Sequence, residues 1–170
     1  WLKKKIKKKN TNNILLINYG IGDEYDKKKL KIFEETSSST FNEINKNTEY
    51  YKRKNKFLSF FNLKKTETHK EIEAKIYPLS SFDEFRKLEE VHLLKIDTEG
   101  YELKVLNGIT KEDIKKIKYI YFEHHYDLMI KKNYKYSEIK KFLNANNFYL
   151  SFKLKMNFRK TFEYIYERFE

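Results

Sequence analysis

Leu93 to Gly108, LLKIDTEGYELKVLNG, is the stretch that decides the fold. An apolar run, Val91, Leu93, Leu94 and Ile96, ends abruptly in Asp97, Glu99 and Gly100. A helical pattern follows, carrying Leu103, Val105 and Leu106, and stops at Gly108. This is how a buried strand reads when it delivers carboxylates to the lip of a sheet and turns into a helix. In open α/β sheets, ligands bind beyond the carboxyl ends of the strands. Asp97 and Glu99 are therefore expected to bracket the mouth of the sheet, with Gly100 letting the backbone turn without a Cβ penalty. The competing role for the two acids is plain capping of the helix that follows.

Working outward, Ile72, Ala74 and Ile76 alternate with Glu71, Glu73 and Lys75, which predicts a half-buried strand ended by Pro78. Ser81 and Glu84 have capping-box spacing and predict the start of a helix carrying Phe82, Phe85 and Leu88. Downstream, Thr110 with Asp113 opens a short helix. Tyr119 to Phe122 is a second apolar run, ending in Glu123, His124 and His125. Ser137 can cap a helix whose buried face holds Ile139, Phe142 and Leu143. Phe148 to Leu154 and Phe162 to Tyr166 read as two alternating, antiparallel strands.

Towards the N-terminus, Trp1 to Asn10 reads as the end of a helix, and Asn13 to Tyr19 as a short buried strand. Gly20, Ile21, Gly22 and Asp23 are expected to turn the chain. Leu30 to Phe33 is a further strand, and Ser37 to Thr40 a loop. Asn42 to Lys70 is polar and reads as a surface excursion tied down by Phe57, Phe60 and Phe61. This order of elements predicts one α/β domain over residues 1–170 with a sheet mostly parallel in its centre.

Composition narrows the function classes. The 170 residues carry a net charge of +12, which invites a nucleic-acid reading. Against it, the only arginines are Arg53, Arg86, Arg159 and Arg168, and Arg is the residue that reads phosphates and guanines bidentately. An abundance of Lys, Asn, Ile, Tyr and Phe with few Gly and Pro fits AT-rich coding and a solvated surface. The absence of cysteine excludes disulfides and thiolate metal sites. No apolar stretch approaches the ~18 residues of a membrane span. Residues 1–10 are basic with no apolar centre, unlike a secretory signal, so a cytoplasmic location is the expectation. The first residue is Trp rather than Met, which reads as a fragment or processed product.

The candidate chemistry lies where the two apolar runs end. If the strands at Leu94 and Tyr121 are neighbours, Asp97, Glu99, Glu123 and an imidazole converge on one crevice. A histidine near its ordinary pKa of ~6.5 suits general-base work, and His124 is the candidate. No metal-ligand spacing is present, so no metal is expected. Arg159 could meet an anion, but a hairpin charge is the plainer role. Gly20 and Gly22 lack the rest of a phosphate loop, and no nucleophile elbow is present.

Lys95 to Glu102, KIDTEGYE, with Leu106 and Gly108 behind it, closely resembles the signature of the FkbM-type methyltransferase family. The resemblance extends to Asn13–Asp23, to the serines before Thr40, to the segment from Ile76 through Ser81, and to Tyr119–Glu123. It implies a class I methyltransferase-like, Rossmann-like sheet with a C-terminal antiparallel hairpin, and S-adenosylmethionine as cofactor. It implies an O-methyltransferase acting on a sugar hydroxyl in polysaccharide or glycan biosynthesis. By the same carry-over, Asp97 lies near the methionine end of the cofactor, Glu99 and Glu123 line the crevice, and Asn18 and Asp23 approach the adenine side. His124 or Asp97 would take the acceptor proton.

The family's opening strand, its Gly-rich turn and its second strand have no counterpart here. In the class I strand order, both would lie between the strands at Leu15 and Leu94. The resemblance therefore implies a domain without its N-terminal strands. Such a chain leaves two strand edges exposed, and alone binds cofactor weakly or not at all and is inactive. The alternative function is a non-catalytic basic module that binds nucleic acid or an acidic polymer through interleaved Lys, Tyr and Phe.

Overall fold

The apolar run before Asp97 forms the strand β5, Val91–Ile96, at the bounds its sequence predicts. In the computed structural model, which describes residues 13–33, 39–49, 51–53, 56, 69–156 and 160–169, the preceding strands are β1 (Gly20–Gly22), β2 (Asp26–Phe33), β3 (Ser39–Thr40) and β4 (His69–Pro78). The helix α1 (Asp83–Arg86) leads into β5, and α2 (Glu102–Asn107) follows it. The chain ends in β6 (Ile117–His125), α3 (Tyr136–Ala145), β7 (Phe148–Lys155) and β8 (Thr161–Arg168).

The expected mostly parallel single sheet is corrected to two four-stranded sheets, ordered β1-β4-β2-β3 and β5-β6-β8-β7. Among the described residues, parallel pairing is confined to β1 with β4 and β5 with β6. The ladders of β2 with β3 and β4, and of β8 with β6 and β7, are antiparallel. The expected C-terminal hairpin is present as β7 and β8. The fold is thus mixed α/β and rich in strand.

Three further readings are corrected. Residues 14–18 are not strand, and Leu15 is 61% exposed. Gly20 and Gly22 lie inside β1 rather than in a turn. Their small size serves packing, since a Cβ on Gly22 would stand 2.7 Å from Ile76 Cγ2. β5 is only partly buried, with Leu93 53% exposed, because it is the end strand of its sheet.

The capping expectations divide. Asp113 N–H donates to Thr110 Oγ1 at 3.1 Å, as its spacing predicts, opening a 3-10 turn over Asp113–Lys116. Ser81 instead donates to the Pro78 carbonyl at 2.7 Å, within a 3-10 turn that delays the helix to Asp83. Helix α3 begins one residue before Ser137, and Glu138 Oε2 accepts the Lys135 N–H at 2.7 Å. The proposed helix over residues 1–10, the aromatics Phe57, Phe60 and Phe61, and Arg159 lie outside the described residues.

Core and joint follow from side-chain alternation. One face of the second sheet contributes Ile96, Ile120, Phe122, Tyr164, Tyr166 and Phe148 to a buried cluster with Val105 and Leu106 of α2 and Ile139 and Leu143 of α3. Ile76 of the first sheet belongs to the same cluster. The joint between α2 and the first sheet is tight: a Cβ on Gly108 would stand 1.9 Å from the Gly22 carbonyl oxygen. Helix α2 stops at a glycine because its end meets another backbone there.

Candidate functional site

Parallel pairing sets Ile96 beside Phe122, so the loop after β5 runs alongside the last residues of β6. β6 extends through His125, and the two-residue period of a strand then decides its chemistry. Glu123 and His125 share one face, while His124 points to the other.

His125 lies at the centre of a cluster on that face. Its Nε2 is 3.0 Å from Glu99 Oε2 and 3.1 Å from Glu123 Oε1. Its Nδ1 is 3.0 Å from Thr161 Oγ1 and 3.7 Å from Asp127 Oδ2. Burial works against a charged imidazole here, but hydrogen bonds to Asp127, Glu123 and Glu99 outweigh it and push the pKa up to about 11. His125 is therefore an imidazolium at neutral pH, with both ring N–H groups engaged. Burial also opposes the Asp127 carboxylate, yet His125 and the Met129 N–H hold its pKa below the usual range.

Glu99 reaches His125 from an uncommon backbone conformation. Its φ is +50°, followed by +96° at Gly100. Thr40 Oγ1 donates to the Glu99 carbonyl at 2.9 Å, and Asn42 Nδ2 to the Gly100 carbonyl at 2.7 Å. The Gly100 N–H donates to Glu102 Oε1 at 2.8 Å. A Cβ at Gly100 would meet Asn42 Nδ2 at 2.7 Å and Ile130 Cγ2 at 2.9 Å, so both φ and space require glycine. The segment after β3 is anchored across the loop by an Ile44–Ile130 bridge and by Lys131 N–H donating to the Glu43 carbonyl at 2.9 Å.

The other sequence candidates are distributed as follows. Asp97 is exposed at the end of β5, 3.1 Å from Lys95 Nζ. Asp23 Oδ2 is 2.6 Å from Lys104 Nζ, which ties the loop after β1 to α2. Asn18 is exposed in the irregular segment before β1. His124, expected in the crevice, is instead 3% exposed on the core face, beside the rings of Tyr126, Tyr134 and Tyr136. Its Nδ1 has no hydrogen-bond partner, and burial, with Lys132 and His125 nearby, pushes its pKa down to about 3. It is neutral and away from the crevice because neighbouring strand residues face opposite ways.

Sequence reading missed His125, Asp127, Thr161 and the support from Thr40, Asn42 and Glu102. Carrying the alternation of Tyr119 and Tyr121 on through Glu123 would have selected His125 over His124. Among the described residues, no group of three or more His, Asp or Glu is arranged to hold a metal ion, and no helix is long and apolar enough to cross a membrane. The carboxylates are turned instead on an imidazolium.

No curated protein and no solved structure matches the chain. The family model described as the methyltransferase FkbM domain matches residues 2–150, and with most of its length so matched the chain belongs to the FkbM methyltransferase family.

Proposed function

We propose that this chain forms part of an O-methyltransferase that takes its methyl group from S-adenosylmethionine and delivers it to a sugar hydroxyl of a glycan. The observation that carries the reading is the acidic turn over residues 97–100 at the end of β5, within the matched family segment. Bound S-adenosylmethionine supplies an electrophilic methyl group on a sulfonium. Asp97 is suited to the positively charged methionine end, and Asn18 and Asp23 to the adenine side.

An attacking hydroxyl must lose a proton, and the two histidines are poor recipients. His124 is neutral but faces the core, and His125 already carries both protons. That leaves Asp97, exposed at the strand end, as the base. Glu99 and Glu123 contribute a fixed negative wall, and alignment of acceptor and methyl donor supplies most of the acceleration. The test is transfer of labelled methyl from S-adenosylmethionine to free sugars and oligosaccharides by the natural full-length protein. Label in a sugar ether supports the reading. Cofactor binding with no labelled sugar removes the acceptor class, and no cofactor binding removes the whole reading.

A further inference from the structure

Glu102 is 1% exposed, yet it carries a carboxylate. A buried carboxylate is costly unless its oxygens are satisfied. Here Oε1 accepts the Gly100 N–H at 2.8 Å and the Thr98 hydroxyl at 3.2 Å, while Oε2 accepts the Tyr134 hydroxyl. The Lys132 ammonium adds an attractive charge. All three donors therefore tie the loop after β5 to α2 and to the segment before α3. The residue between Thr98 and Gly100 is Glu99, held at a φ that a non-glycine residue keeps only where its surroundings over-determine it.

We propose that Glu102 is a positioning residue: by accepting the Gly100 N–H and the Thr98 hydroxyl it sets the Glu99–Gly100 turn, and so aims Glu99 Oε2 at His125 Nε2. Thr40 and Asn42 hold the two carbonyls of the same turn from the opposite side. Removing Glu102 frees the N–H side of the turn, and Glu99 relaxes away from the imidazole. The functional meaning of this assignment rests on the methyltransferase reading, whereas its geometry is testable without turnover.

The readout is the titration of His125 by NMR in the full chain. The groups facing that imidazole are Glu99 from the loop after β5, Glu123 on its own strand, Asp127 from the loop after β6 and Thr161 of β8. His124 and Lys132 are the neighbouring cationic or titratable groups; the Lys132 ammonium donates to the His125 carbonyl. Glu102→Ala is expected to lower the His125 midpoint by about one unit or more, the effect of losing one adjacent carboxylate. Glu102→Gln loses the charge but keeps an acceptor for the Gly100 N–H, so it should stay near wild type. A merely structural role would move the melting temperature and leave this midpoint in place.

Equal falls in both variants would mean a lost charge rather than a lost aim, and no fall in the alanine variant would mean Glu99 holds itself; either result overturns the proposal. Should the alanine variant not fold, Glu102→Asp keeps the charge but withdraws the acceptor from the Gly100 N–H and the Thr98 hydroxyl. A lowered midpoint there supports the proposal, and an unchanged one rejects it. Absent methyl transfer by the wild-type protein would count against the methyltransferase reading and leave the NMR result standing.

Discussion

Glu99 Oε2 and His125 Nε2 meet at 3.0 Å across the ends of two parallel strands. Neither residue is placed by its own strand alone. Glu99 needs a left-handed turn clamped from two sides, and His125 needs β6 to outlast β5. With Glu123 and Asp127 they form an ion cluster whose charge state links folding, pH and the proposed chemistry.

Raising the His125 pKa makes the cluster a source of alkaline sensitivity. The folded value is about 11 against an ordinary value of ~6.5. Its stabilisation is therefore complete below about pH 6.5 and is lost as the pH rises towards 11. Chemical denaturation across this range should show stability falling on the alkaline side. His125→Gln should flatten that limb and cost about 3–5 kcal/mol at neutral pH, because the buried Asp127 and the half-buried Glu99 and Glu123 lose their cation. A limb unchanged by the substitution would sink the assignment.

His124 should act in the opposite direction. Its folded pKa, about 3, lies below its ordinary value, so the unfolded chain binds more protons and stability is lost as the pH falls below about 6.5. His124→Phe places an aromatic ring among Tyr126, Tyr134 and Tyr136 and removes the unpartnered Nδ1. It should raise the melting temperature at pH 5 relative to wild type, with a smaller gain at pH 8. A gain equal at both pH values would show that packing, not protonation, is responsible.

What was legible in the sequence was local. Val91–Ile96 and its acidic end, the alternation after Phe148 and the Thr110 cap depend on short-range patterning, which a single sequence displays. The fate of Asn13–Tyr19 depended on pairing with another strand, which the run itself does not encode; residues 14–18 do not pair. Likewise, Ser81 had the spacing of a cap but lies in a 3-10 turn after Pro78. In the site, Glu99 and Glu123 were identifiable as strand-end acids. Thr40, Asn42 and Asp127 were not, because their roles arise from tertiary crossings.

Gly108 offers a sharp test of the joint between α2 and the first sheet. A Cβ there would stand 1.9 Å from the Gly22 carbonyl oxygen and 3.2 Å from Pro78 Cα, all of it backbone. Gly108→Ala is therefore expected to cost about 3 kcal/mol or more, despite alanine's better helix propensity. Asn107→Ala, one residue earlier and exposed, should stay within about 0.5 kcal/mol of wild type. Urea denaturation of both variants measures the contrast, and a near-neutral Gly108→Ala would mean the two backbones do not touch.

Asp97 separates chemistry from folding. Its carboxylate is exposed, and its ion pair with Lys95 lies at the surface, where such pairs are worth little. Asp97→Asn should thus leave the melting temperature within about a degree or two of wild type while abolishing methyl transfer by the complete enzyme. His124→Phe should retain transfer, since that ring faces the core. Full activity in the Asp97→Asn enzyme would exclude Asp97 as the base.

The net charge of +12 makes a competing prediction. Some of the lysines are paired with acids: Lys27 with Glu73, Lys29 with Glu71, Lys104 with Asp23, Lys116 with Asp113 and Lys131 with Glu43. The exposed side of β6 and β8 adds Glu163 and Glu167, bonded to Tyr121 and Tyr119, so tyrosines that would stack on bases stand beside carboxylates. Binding to single-stranded RNA should therefore be weak at low salt and negligible near physiological salt. Tight binding with a steep salt dependence would instead favour the basic-module reading, because it would require a surface that tracks phosphates and stacks bases.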